Sequence, residues 1–595
     1  MNPPPLSKIT KNLSLTAMGE KKSDLVVKGS DLVNVYSREI IESIDVAVKK
    51  GRIALVGDAD HTIGSETKVI DGSDKYLTPG FLDGHVHIDD SMATVTEFAR
   101  AVIPRGTTGV FMDPHEIANV LGLKGVKLMI EESRGLPLKV YNTVPSCVPA
   151  TSPSLETTGA EIGPEEVKEA MRWDETVALG EMMNYPGVIQ GNEKIHEMIE
   201  ETLNAGKVVE GHAPGMSGKS LNAYAAAGIS SCHESTEMEE GLEKLRLGMH
   251  LMIREGFASL KNLSDLISIV TEENVDSNRI SLVTDDRHPK DLTEDGHMDD
   301  VVRRAIEEGV DPVKAIQMSS LNTAKHFQVD GEIGGIAPGK SADMVTISDL
   351  SKIEIDEVII DGEIMARAGK LTTELKPYKY PKFAENSVRI PKKLGSGDFE
   401  IKTSSQSENT EVRVIKVKEG TPKTESIVKK LPVSHGSIQP STKDDVAKIS
   451  VIERHNKTGN IGLGFVNGFG FEKGATASTI AHDSHNLLVL GTNDDDMASA
   501  TNKLAEVGGG IISVSDGEIL AMVKLPIAGL MSKLSLKETN KKMKKVSESW
   551  KELGCKIESP FSTMVLLALP VIPELRITDK GLIDANNFEI LEVEV

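Results

Sequence analysis

Residues 80–90 read GFLDGHVHIDD, an apolar run that ends on His85 and His87. Side chains alternate along a strand, so imidazoles two residues apart point to one side and can share a metal ion. Four more apolar runs end on metal-type residues: VALGEMMNYPG places Glu181, VVEGHAPG places His212, ISSCHES places His233, and ISLVTDDRHP places Asp285. Four imidazoles and two carboxylates suffice for two ions. Each run reads as a buried strand, and if the strands are parallel their ends lie on one rim, the active-site rim of a barrel.

Working outward, strand-like runs at 81–88, 107–112, 138–144, 176–181, 207–212, 229–233, 249–254 and 280–285 alternate with amphipathic stretches such as 94–104, 116–134, 191–206 and 297–309. Gly106, Gly135, Gly206, Gly228, Gly248 and Gly309 stand where helices should stop. Eight β/α repeats make an α/β fold with a (β/α)8 TIM-like barrel over 80–330 the economical expectation. Segments 25–79 and 331–370 have short alternating strands and glycine turns, and are expected to pair into one small discontinuous β-domain. Residues 1–24 read as a polar N-terminal segment and 371–400, rich in Lys, Pro and Ser, as a linker. Residues 401–595 carry their own strands and helices and are expected to form an additional C-terminal α/β or α+β domain.

At 595 residues the chain exceeds one compact core, so several domains are expected. A formal net charge of −23 repels nucleic acid and anionic membrane and favours a small neutral substrate; solubility is its blander use. Cys147, Cys232 and Cys555 are too scattered for a disulfide framework. The first 24 residues lack the apolar core of a signal peptide. With no run of about 18 apolar residues to span a bilayer, the expected location is cytoplasmic.

Several segments together, GHVHIDDSM, TTGVFMDPHEIANVLG, GEMMNYPGV, EGHAPG, TDDRHP and the downstream GFVNGFGFEKGATASTIAHDSHNLLVLGTNDDDMASA with LPIAGLMS, resemble the amidohydrolase superfamily and, more narrowly, the microbial adenine deaminases. The resemblance covers nearly all of the chain after residue 24. One departure is Asp89, where the family's first motif carries Glu. The resemblance implies hydrolytic deamination of adenine to hypoxanthine and ammonia, in purine salvage, by a homodimer carrying two divalent ions per chain, Mn2+ or Fe2+ rather than Zn2+. It also implies that His85, His87 and Asp285 hold one ion and His212 and His233 the other, with Glu181 bridging in place of the carboxylated lysine of hydantoinase-like relatives.

The chemistry points the same way. Deaminating a 6-aminopurine needs a nucleophile at neutral pH, which two metals sharing a hydroxide provide. It also needs a proton relay, for which Asp285 is the natural shuttle; Glu116 and His233 complete the expected catalytic set. The H-x-E plus P-C-x-x-C zinc deaminases are excluded because no such cysteine pair exists here. Asp113, His115 and Glu116 in MDPHE follow the second strand and would bind substrate, shuttle protons or hold an additional metal; the alternative is a helix N-terminus with acidic residues at its dipole. His482, Asp483 and His485 in AHDSHN resemble a loop closing the pocket from the C-terminal domain, or form a hydrogen-bonded turn. Arg254 and Glu255 end the seventh strand and contact the base, or form an ion pair. His196 and His326 read as ordinary packing residues, Gly508–Gly510 lacks the P-loop Lys-Ser/Thr, and KKMKK at 541–545 is a solvated helix face. Two rival functions stand beside deamination: hydrolysis of a cyclic amide or N-acyl substrate, and a non-enzymatic scaffold.

Overall fold

The computed structural model describes residues 3–256, 261–273 and 275–595. Eight strands carry the centre of the chain: β1 (Phe81–Val86), β2 (Thr107–Met112), β3 (Lys139–Val144), β4 (Thr176–Met182), β5 (Val208–Gly211), β6 (Ser231–Cys232), β7 (His250–Arg254) and β8 (Ile280–Val283). They form a five-stranded parallel sheet in the order β5-β4-β3-β2-β1 and a three-stranded parallel sheet in the order β6-β7-β8. Parallel bridges connect the two, Val86 with Asp285 at one seam and Val209 with Ile229 at the other. Every residue of β1, β2, β7 and β8 is buried. Parallel strands covered on both faces are apolar along their whole length, which is why these runs are legible.

Helices fill the connections. The expected helix 94–104 is Val95–Val102 with a 3-10 turn, capped at its start by the Thr94 side chain and closed by Gly106 at φ 81°. The stretch 116–134 is two helices, His115–Leu121 and Leu123–Ser133, broken at Gly122. Gly135 differs from the expectation: the second helix ends through right-handed Arg134, and Gly135 is not among the glycines with positive φ. The strand expected over 229–233 is only two residues long, because the chain leaves the ladder where His233 turns into the site.

A nine-stranded sheet draws on both flanks, with Tyr76–Pro79 pairing antiparallel with Met344–Asp349. Within the polar N-terminal segment lies a helix, Leu6–Ala17, which lays Ile9 and Leu13 against Ala54. The C-terminal part holds a ten-stranded sheet, a three-stranded sheet, and helices that include Asp494–Val507 and Leu536–Glu552. One apolar cluster runs through both halves, from Val86, Met92 and Phe98 to Ile449, Met531 and Trp550. Ser532 also donates its N–H to the Met92 carbonyl at 2.8 Å. Among the described residues no helix is long and apolar enough to cross a membrane.

Candidate active site

The strand ends converge as the spacing requires. His85 and His87 leave β1, Glu181 leaves β4, His212 follows β5, His233 follows β6 and Asp285 follows β8 by two residues. All are at most 4 % exposed except His212, which is partly exposed. His85 Nε2 lies 3.1 Å from His87 Nε2, His87 Nε2 lies 3.2 Å from Asp285 Oδ1, and His233 Nε2 lies 3.2 Å from Glu181 Oε2. Two ligands about 2.1 Å from one ion, at angles of 90–110°, are themselves about 3.0–3.4 Å apart. These donor pairs therefore have the separation that a shared divalent ion imposes. Glu181 faces both sides, with Oε1 3.6 Å from His87 and Oε2 against His212 and His233.

Neighbouring groups fix the candidate ligands. His87 donates Nδ1–H to the Asp113 carbonyl at 2.8 Å, which turns its Nε2 toward the other donors, where a metal would take the place of the Nε2 proton. Asp113 Oδ2 accepts the Glu181 N–H at 2.9 Å. That approach needs Gly180, since a Cβ there would stand 2.2 Å from the same oxygen. Tyr224 accepts the His212 N–H at 2.9 Å and donates to the Met182 carbonyl at 2.7 Å, tying the ends of β4 and β5 together. Arg254 donates to Asp285 Oδ2 at 2.9 Å, so the other oxygen faces the imidazoles.

The electrostatics favour a cation. Burial opposes charge on Asp285, yet hydrogen bonding to His87 and the charges of His233 and Arg254 hold it well below the usual carboxylate range. Burial likewise opposes charge on Glu181, which His212, His115 and His233 outweigh. Burial, with His233 and His87 alongside, pushes His85 down to about 3, keeping its imidazole neutral, as a metal donor must be. Buried Asp286 is pushed well above its usual range by burial, Asp90 and Asp285. Imidazoles and carboxylates without thiolate form a donor set for divalent first-row metals.

The MDPHE residues sit on the same rim. His115 Nδ1 is 3.2 Å from Glu181 Oε1, and its Nε2 is 3.4 Å from Glu116 Oε1. Glu116 also meets the C-terminal loop: His482 Nδ1 lies 2.8 Å from Oε1 and His485 Nε2 donates to Oε2. Buried Asp483 lies between them in sequence and is raised to about 6 by burial, an effect His115 opposes. The helix-terminus alternative also has a physical basis, because Asp89 Oδ2 accepts the Ile117 N–H at 2.7 Å. Burial and nearby Glu116 raise Asp89 to about 7. Arg254 joins the cluster, whereas Glu255 does not: its carboxylate lies 3.0 Å from Arg304, away from the metal-type residues.

Three carboxylates of the site escaped sequence reasoning. Glu234 pairs with Arg254 and lies 3.6 Å from His233, Asp90 faces His482 at 3.6 Å, and Asp286 follows Asp285. Each adjoins or nearly adjoins a strand-end ligand in CHES, HIDD or TDD, and that adjacency was the available signal.

Comparison with known proteins agrees with this geometry. Residues 76–365 match the amidohydrolase family and residues 422–589 match the adenine deaminase C-terminal domain. The chain is 50 % identical over 595 residues to an adenine deaminase of Clostridium botulinum, covering 100 % of this chain and 99 % of the relative. It is 50 % identical over 590 residues to that of Moorella thermoacetica, covering 99 % and 98 %, and 46 % identical over 595 residues to adenine deaminase 3 of Rhizobium meliloti, covering 99 % of each. Similarity at this level over both chains' full length, together with a converged cluster of strand-end imidazoles and carboxylates, places the protein in the adenine deaminase family of metal-dependent amidohydrolases.

Proposed function

We propose that the protein hydrolyses adenine to hypoxanthine and ammonia at a centre for two divalent ions. The observation that carries this reading is the pair of donor sets that share Glu181, in a chain similar to adenine deaminases from end to end. His85, His87 and Asp285 would hold one ion, His212 and His233 the other, and Glu181 would bridge them. When bound, the ions supply a nucleophile at neutral pH by lowering the pKa of water.

The chain's own residues do the rest. Asp285, fixed by Arg254, takes the proton of the attacking water and passes it toward the ring nitrogen. His233, at the same ligand cluster, helps hold the attacking water. Glu116, His115 and Asp113 fix the base, with His482, Asp483 and His485 closing over it from the C-terminal domain. Apart from His212, the residues of this cluster are 5 % exposed or less; the preference for the free base over adenosine rests on the similarity to adenine deaminases. The eight strands are read as one (β/α)8 barrel closed at its two bridged seams, in a cytoplasmic homodimer. Manganese or iron is the expected metal.

Ammonia release from adenine, adenosine, guanine and cytosine by metal-loaded protein tests the substrate: adenine is expected to be turned over with strong preference over adenosine. Equal turnover of adenosine, or none of adenine with two metals present, would overturn the reading. Glu181→Gln tests the bridge. It is expected to drop the metal content after dialysis from about two ions per chain toward one, by elemental analysis, with little change in the unfolding midpoint.

A further inference from the structure

Arg454 is fully buried, and its donors go to neutral acceptors: Ala528 O at 3.0 Å, Ser387 Oγ at 3.2 Å, Thr479 O at 3.5 Å and the His485 carbonyl. The adjacent acid, Glu453, spends its carboxylate on the N–H groups of His455, Asn456 and Thr458 and on the Thr458 hydroxyl. A buried guanidinium without a carboxylate partner is costly, and burial pushes Arg454 down to about 9. A residue kept at such cost points to a task, and every bond from its side chain, Ser387 apart, goes to a backbone carbonyl: that of His485 within the 481–486 loop, of Thr479 just before it, and of Ala528.

That loop presents His485 in one state. Ala481 donates its N–H to His485 Nδ1 at 3.2 Å, so Nδ1 carries a lone pair and the ring proton sits on Nε2, which donates to Glu116. His485 has φ 50°, a left-handed conformation that a non-glycine residue holds only when its surroundings impose it. The Arg454 bond to its carbonyl, the His455 ring on the Ser484 carbonyl at 2.7 Å and Asn486 Nδ2 on the Thr157 carbonyl at 2.8 Å impose it. The same tautomer argues against a third cation between Glu116, His482 and His485. A metal on Nε2 would force the proton onto Nδ1, against the Ala481 N–H.

We propose that Arg454 is a positioning residue for the deamination: it sets the 481–486 loop so that His485 delivers its Nε2–H to Glu116 and seats that carboxylate for the substrate. This rests on the reading of Glu116 as a substrate-side group. The test is a double-mutant cycle on manganese-loaded protein, with Arg454→Met, His485→Ala and the double variant compared for kcat, KM for adenine, metal content and unfolding midpoint. His485→Ala is expected to raise KM about tenfold or more, the loss of a hydrogen bond to a charged group, with metal content unchanged. Arg454→Met is expected to raise it comparably, and the double variant no further than the worse single one. Arg454→Lys, which retains a donor for the carbonyls, should fall between wild type and Met.

Multiplying effects in the double variant, or a folded Arg454→Met protein with unchanged KM, would overturn the proposal. If Arg454→Met does not fold, Gly529→Ala replaces it in the cycle, since a Cβ there would stand 2.7 Å from Arg454 Nη1 and displace the guanidinium from the other side. An unchanged KM in His485→Ala alone would instead remove the substrate-side reading of Glu116, and the proposal with it.

Discussion

Asp285→Asn is expected to lower kcat on the order of 10²-fold or more, the usual cost of losing a general acid/base, with metal content restored before assay. The substitution is a clean one. Asp285 has φ 60°, a region that Asn tolerates better than most residues, so the backbone needs no change. The side chain keeps its shape, and an amide oxygen can still accept from Arg254 at the position of Oδ2. What disappears is the second oxygen, the one facing His85 and His87 at 3.7 and 3.2 Å, replaced by an NH2 that can neither take a proton nor ligate an ion. A variant with two ions bound and kcat within a few-fold of wild type would show that the proton moves by another route. Measuring metal content beside kcat separates the relay from the ligand role.

Arg254→Met is expected to be the most destabilising single change in the site. One guanidinium nitrogen serves both Glu234 and Asp285, and Nε donates to Asn262 Oδ1 at 2.9 Å, all of it buried or nearly so. Removing the cation strands buried Asp285 and partly buried Glu234, and breaking a buried pair costs about 3–5 kcal/mol. The sign of the metal dependence is the sharper check. Divalent ions held beside Asp285 would supply part of the missing positive charge, so the fall in unfolding midpoint should be larger after chelation than in metal-loaded protein. The same fall in both states would mean that Arg254 contributes packing rather than charge.

Much of this candidate site was legible because its metal-type residues sit where two periodicities end. His85 and His87 obey the alternation of a strand, and Glu181, His212, His233 and Asp285 each terminate an apolar run. Period two also separates Arg254 from Glu255: neighbours on a strand face opposite sides, and only Arg254 turns toward the ligands while Glu255 meets Arg304. That distinction was available and went unused. Glu234, Asp90 and Asp286 were not legible, because a second carboxylate beside a ligand has no periodic mark and its direction depends on how the chain leaves the strand. The grip of Arg454 on the His485 loop was equally hidden, since 31 positions separate two groups that only the folded sheet brings together.

The discontinuous nine-stranded sheet has a consequence for how the protein is made. Strand Tyr76–Pro79 pairs on one edge with Leu25–Asn34, but its other edge meets its partner only in Met344–Asp349, some 265 residues later. At roughly 5–20 residues per second, the ribosome leaves that edge unpaired for about 13–53 s. Apolar surface on Val86, Met92 and Phe98 waits longer still, because the residues that share its cluster include Met531 and Trp550 near the end of the chain. A nascent chain in this condition is a client for holding chaperones, and its yield in a host should depend on them more steeply than on the final stability of the enzyme.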